Sequence, residues 1–313
     1  MKSTSIFLQC ALTSFCFSAA FVRTYNRHYS PSSVTRRNEN PLSMIGNRQC
    51  SSNTFLSRKR FASVASIDQT ISETSEKATR CSLDSLVSFA KVLWDFTRPH
   101  TIVGSGISVV ALYTYGTPTH LWGTHKFFSS LGSCLLPALL MNIYITGLNQ
   151  VTDVEIDRIN KPYLPIAAGN LSKEHGIIVV IASLISSLYL VRNAAWPLQA
   201  VVTGSCILGT LYSMPPFRLK RYPLLAAFCI LVVRGTLVNM GFFLHAKVQV
   251  LGESIPSVMS ACRMFPESVL LTVYFAIFGV VIALMKDVPD VKGDRMNSIS
   301  SFSVKLGAAK MFR

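Results

Sequence analysis

From Phe127 to Thr152 the chain carries no charged side chain. About 20 apolar residues cross the hydrocarbon core of a bilayer as a helix, and only a helix or a closed barrel satisfies every backbone polar group where water is absent. Read the same way, the rest of the chain yields six uncharged runs of span character. They are Thr101 to about Thr119, Phe127 to Gln150, Gly176 to Val191, Ala194 to Phe217, Tyr222 to Leu244 and Ser268 to Met285. Arg234 alone interrupts one of them. With 50% hydrophobic and 14% charged residues among 313, and a mean hydropathy of +0.40, the chain reads as an all-α membrane protein.

Charge then returns in a pattern. Asn149, Asp153 and Asp157 stand at i, i+4 and i+8, at the end of the second run. On a helix they fall within about 80° of one another, and Glu155 points elsewhere. After the sixth run, Asp287, Asp290 and Asp294 repeat the arrangement at i, i+3 and i+7, with Pro289 and Gly293 loosening the helix. Carboxylates gathered on one face repel unless a hard cation lies between them, which implies Mg²⁺.

Counting spans puts both acidic motifs and the basic loop Arg218, Lys220, Arg221 on one side of the membrane, with Arg98. The opposite loops hold only Lys126, Arg192, Lys247 and Arg263 as cations. By the positive-inside rule the motif side faces the cytoplasm or its plastid equivalent, the stroma. The overall charge of +15 is therefore an orientation signal joined to a basic leader, not a nucleic-acid surface. Residues 1–20 read as a signal peptide: Lys2, an apolar stretch too short to span, then Ser18-Ala19-Ala20. Residues 21–67 read as a transit peptide, rich in Arg, Ser and Thr; residues 1–67 together hold nine Lys/Arg against the single acid Glu39. Residues 68–93 read as a linker and 94–313 as the transmembrane domain. The eight cysteines form no Cys-x-x-Cys pair or Cys/His cluster; Cys134, Cys206 and Cys229 read as core.

Two oxygen triads on one membrane face, flanked by bases, suit a diphosphate held through metal ions. Arg158, Lys161, Arg218, Lys220 and Lys286 are the candidates to neutralise its remaining charge, and Arg234, a cation inside a span, joins them. Apolar spans below offer room for a hydrocarbon tail. Ionising an allylic diphosphate needs such a site: charge develops on the leaving diphosphate, and the carbocation must be kept from water. An electron-rich aromatic ring is a natural acceptor.

The stretches NQVTDVEIDRINKPYLPIAAGNLS, LYSMPPFRLKRYP and MKDVPDVKGDR resemble the UbiA-type intramembrane prenyltransferases, and within them the plastid homogentisate prenyltransferases. The resemblance implies a UbiA-like bundle, six of an expected nine spans being present, so that the chain reads as C-terminally incomplete. It implies transfer of a phytyl or solanesyl group from its diphosphate to homogentisate, with decarboxylation, in the synthesis of tocopherol or plastoquinone. It assigns Mg²⁺ and diphosphate to Asn149, Asp153, Asp157, Asp287, Asp290 and Asp294, and adds Tyr212 and Ser213 to the diphosphate contacts with Arg218 and Lys220. It also implies a multi-pass protein of a plastid membrane. Alternative readings are a flavonoid, coumarin or chlorophyllide acceptor, or a non-catalytic membrane protein whose aspartates bind a cation.

Overall fold

The computed structural model describes residues 86–285, 291–296 and 304; the leader segments 1–20 and 21–67, together with Lys286, Asp287 and Asp290, lie outside the described residues. Residues 86–91 are helical, expose Leu86, Val87 and Phe89, and belong to a different compact unit from Val92 onward. The larger unit is a bundle. Its elements in order are α1 Pro99–Gly116, α2 His125–Thr152, α3 Val154–Asn160, α4 Lys173–Val191 and α5 Trp196–Ser213. They continue as α6 Pro223–Leu251, α7 Val258–Met264, α8 Pro266–Met285 and α9 Val291–Met296.

The starts of these helices are written locally. Thr124 and Ser172 cap α2 and α4 by accepting from the N–H of Phe127 and His175, both at 3.2 Å. Pro99, Pro223 and Pro266 begin α1, α6 and α8, where a missing N–H costs nothing. Gly252, at φ 80°, supplies the left-handed residue that ends α6.

Among the described residues four helices are long and apolar enough to cross a membrane: α2, α4, α6 and α8. The first and fourth runs read as spans are also helical, as α1 and α5, each of 18 residues. They are more polar, carrying Thr101, Ser105 and Ser108 on α1 and Gln199, Thr203 and Thr210 on α5. Asn142 of α2 meets the first of these sets: Thr101 Oγ1 donates to Asn142 Oδ1 at 3.0 Å, and Asn142 Nδ2 donates to Ser105 Oγ at 2.7 Å. Tyr144 and Thr210 join α2 to α5 at 2.7 Å. The fifth run extends further than its charges suggested. Helix α6 passes through His245, which is buried against the Tyr113 hydroxyl, and through Lys247. Lys247 lies 3.9 Å from Glu267 and about 5 Å from the rings of Phe243 and Phe265.

Helix contacts rest on small residues, as expected where lipid and core are equally apolar. The core is one cluster that includes Phe96, Tyr113, Leu198 and Phe243, with Cys134 inside it and Cys206 packed on its edge; Cys229 is buried too. Gly147 lets α2 approach α4 so closely that a Cβ there would stand 2.7 Å from Val180 Cγ2 and 3.0 Å from Phe96 Cζ. Gly132, on the same helix, would meet nothing within 4 Å. Gly147→Ala should therefore cost about 1–3 kcal/mol through overpacking, whereas Gly132→Ala should gain up to about 1 kcal/mol through helix propensity. Thermal unfolding in detergent would compare them, and equal melting temperatures would contradict this account of the packing.

Candidate functional site

Helix α2 ends at Thr152, and Asp153 caps both α2 and α3 with a non-helical backbone, φ −114° and ψ 20°. The break leaves the helical ladder intact: Asp153 N–H donates to Asn149 O at 3.0 Å, Asp157 N–H to Asp153 O at 2.8 Å and Lys161 N–H to Asp157 O at 2.7 Å. Asn149, Asp153 and Asp157 thus stay stacked across the kink. The two carboxylates are buried, only 6% and 5% exposed. Glu155 faces outward and pairs with Arg158 at 2.9 Å, both side chains more than half exposed. Arg158 is therefore turned away from the aspartates, although the sequence placed it beside a diphosphate.

The partners of Asp153 come from 65 and 67 residues further along. Arg218 Nη2 donates to Asp153 Oδ1 at 2.6 Å, and Lys220 Nζ donates to Asp153 Oδ2. Burial pulls the Lys220 ammonium below its usual range, and Asp153 opposes that shift. The loop that carries these bases leaves α5 directly after Tyr212 and Ser213, and Ser213 is fully buried with no hydrogen-bond partner for its Oγ among the described residues. Asp157 is less well provided for. Among the described residues its Oδ2 is buried without a partner, and burial pushes its carboxyl up to about 6 despite Arg98, Lys161 and Lys220 nearby.

Sequence reasoning used Arg98 only to place the N-terminal side of the first span. In the structure its Nε and Nη2 are buried without hydrogen-bond partners among the described residues, close enough to Asp157 to pull that carboxyl's proton affinity down. Its backbone is left-handed, φ 52°, and Arg218 is left-handed too, φ 40°. Among the described residues these are the only non-glycine positions at positive φ. Such conformations cost roughly 1–2 kcal/mol each, and strain of this kind gathers at functional sites. The signal for Arg98 was present in part: an arginine before a Pro at a helix start, on the motif side. Its backbone conformation was not visible in the residue order.

Helix α9, which carries Asp294, packs against α3. The helix that carries Asp294 therefore meets the one that carries Asp157, next to Asp153 and the Arg218 loop that pairs with it. Arg234 is not among this group; it sits within α6 and makes no contact with Asp153 or Asp157. Among the described residues no three His, Cys, Asp or Glu side chains form a metal set. What α2 and α3 do provide is an amide oxygen and two carboxylates, one with a buried oxygen lacking any donor. That hard-oxygen set suits Mg²⁺ rather than a softer ion.

The sequence model of the UbiA prenyltransferase family matches residues 103–313, and the chain belongs to that family. It is 39% identical over 245 residues to homogentisate phytyltransferase 1, chloroplastic, of Arabidopsis thaliana, covering 77% of this chain and 58% of that one. It is 41% identical over 228 residues to the homogentisate solanesyltransferase, chloroplastic, of the same plant, covering 72% and 57%. The chain thus spans a little under three fifths of the length of these relatives. Its fold is similar to that of a UbiA homologue from Archaeoglobus fulgidus, solved bound to GPP and Mg²⁺, with a TM-score of 0.52, 17% identity and coverage of 70% and 71%.

Proposed function

We propose that the protein transfers a prenyl group, phytyl or solanesyl, from its diphosphate to homogentisate. The observation that carries this reading is the buried cluster at the end of the bundle. Arg218 and Lys220 hold Asp153, and among the described residues Asp157 keeps an unpartnered oxygen and the Arg98 guanidinium unpartnered donors. Likeness to the homogentisate phytyl- and solanesyltransferases supports the choice of acceptor.

Mg²⁺, held by Asn149, Asp153 and Asp157 from one side and Asp287, Asp290 and Asp294 from the other, would neutralise the leaving diphosphate. Around it the chain's own residues bind and orient. Arg98, Lys161, Arg218, Lys220 and Lys286 supply charge for the remaining phosphate oxygens, and Tyr212 and Ser213 border them. The spans enclose the allylic tail and exclude water from the cation that forms as the C1–O bond breaks. The aromatic ring gives an electron pair to C1 and loses a ring proton. The side-chain carboxylate leaves as CO₂, and the electron pair it leaves behind takes up a proton as the methyl group forms. Residues 94–313 form the prenyltransferase domain in this reading, and residues 1–67 direct it to a plastid membrane with the motif end toward the stroma.

The test is a product assay on membranes carrying the full chain, with homogentisate and labelled phytyl or solanesyl diphosphate, with and without Mg²⁺. The reading expects prenylated methylhydroquinone, CO₂ and diphosphate in equal amounts, only with Mg²⁺. Diphosphate released without a prenylated aromatic, or an aromatic product that keeps its carboxylate, would overturn it.

A further inference from the structure

We infer that Arg234 binds the carboxylate of the aromatic acceptor, an inference that rests on the prenyl-transfer reading. Arg234 lies in a stretch of α6, Leu231–Leu237, wound as a π-helix rather than an α-helix. A π-turn adds a residue to the helical turn and turns side chains toward directions an α-helix would not give them. The wide turn is supported from within. Asn239 Nδ2 donates to Gly235 O at 3.1 Å and also reaches Arg234 O, so a side chain occupies carbonyls at the altered register.

The direction of Arg234 follows from its neighbours. Leu231 and Gly235 meet α8: a Cβ on Gly235 would stand 3.1 Å from Ala276 Cα, and one on Gly279 would stand 3.1 Å from Leu231 Cδ2. Leu237 and Gly241 meet α5, at Gly204 and Val201. Arg234 falls in the arc between these two faces. Its side chain is exposed, but by helical angle it lies roughly opposite Phe228, which is 56% exposed, and on the side of the buried Ala226. Arg234 therefore takes the inner arc of α6, and Phe228 the outer one.

Among the described residues its guanidinium has neither a hydrogen-bond nor an ion-pair partner. An uncompensated cation within a span is disfavoured unless an anion arrives. The candidate anions are the diphosphate and the acceptor. Arg234 lies 11 residues beyond Pro223, or roughly 16 Å along the helix, whereas the bases that meet Asp153 precede Pro223. Among the described residues Arg234 pairs with neither Asp153 nor Asp157, the residues that would hold the diphosphate. A single guanidinium facing the bundle interior suits one planar carboxylate, which it can grip with two parallel hydrogen bonds. The acceptor's ring would then lie between Arg234 and the diphosphate, in the path of the allylic carbon.

Arg234→Gln and Arg234→Lys test this with two readouts. In Arg234→Gln the KM for homogentisate should rise at least 30-fold while the KM for the prenyl diphosphate changes less than threefold; Arg234→Lys should fall between. Separately, homogentisate and 4-hydroxybenzoate should raise the melting temperature of the wild-type protein but not of Arg234→Gln, and a 1,4-hydroquinone without a carboxylate should treat the two alike. An unchanged homogentisate KM in Arg234→Gln, or an equal rise in the KM for prenyl diphosphate, would overturn the inference and leave prenyl transfer standing. If homogentisate is not turned over, the proposed function fails, and the melting series still decides Arg234. Loss of carboxylate stabilisation in Arg234→Gln supports the site, and wild-type protein that no aromatic carboxylate stabilises rules it out.

Discussion

Asp153→Asn is expected to lower the melting temperature by on the order of 10 °C and to abolish most turnover. The carboxylate is 6% exposed and holds two cations, Arg218 and Lys220, whose side chains are 16% and 8% exposed. Removing one partner of a buried ion cluster leaves uncompensated charge, which costs about 3–5 kcal/mol. The Arg218 loop, already in a left-handed conformation at φ 40°, would lose the contact that holds it. Glu155→Gln is the internal comparison. Its side chain is 76% exposed and pairs with Arg158 one turn away. Exposed pairs of this kind contribute little, so stability should stay within about 0.5 kcal/mol and turnover within a few-fold. Thermal unfolding and single-turnover rates on both variants check this. Asp153→Asn melting with the wild type would show that the ion cluster does not hold the loop.

Asp157→Asn should do the opposite to stability while still removing activity. Burial raises this carboxyl from the usual 3.8 to about 6, against the pull of Arg98, Lys161 and Lys220. A native carboxyl with a raised pKa holds its proton more tightly than the unfolded chain does. Stability therefore falls as pH rises from about 4 through about 6, and above that the full deficit remains, on the order of 3 kcal/mol. Asparagine carries no charge to desolvate. Without Mg²⁺ at pH 7.5, Asp157→Asn should melt several degrees above the wild type, and the gap should close near pH 4. Mg²⁺ with diphosphate should stabilise the wild type and not the variant, whose turnover should fall at least 100-fold. A variant that melts below the wild type at pH 7.5 would show that Asp157 is compensated in the folded protein.

The parts of this account that were legible in the residue order are those set by one dimension of the chain. Charge is so costly in a bilayer that its absence marked every long helix, and the i, i+4, i+8 spacing placed Asn149, Asp153 and Asp157 in one stack. The end of α6 was misjudged for the same reason. His245 and Lys247 looked like a boundary, but both find partners on other helices, Tyr113 and Glu267. Pairing across the fold was harder to see. Arg158 directly follows Asp157, whereas Arg218 has no acid near it in the sequence. Only the fold shows that Glu155 takes Arg158 one turn away, while Arg218 crosses 65 residues to Asp153. Arg98 and Arg234 depend on backbone conformation, a left-handed residue and a π-turn, which residue types do not encode locally. Lys286, Asp287 and Asp290 remain proposals from sequence, since they lie outside the described residues.

The central claim is that carboxylates from α3 and from the stretch before α9 form one cation–diphosphate site. Mn²⁺ binding, followed by electron paramagnetic resonance with inorganic diphosphate present, tests it without depending on turnover. The account predicts that the wild type and Glu155→Gln bind Mn²⁺ in a diphosphate-dependent manner, and that Asp157→Asn and Asp290→Asn each weaken that binding at least 30-fold. It also predicts that the double variant is no weaker than either single one, because losing one side already dismantles the unit. Undiminished Mn²⁺ binding in Asp157→Asn or Asp290→Asn, or losses that multiply in the double variant, would contradict it.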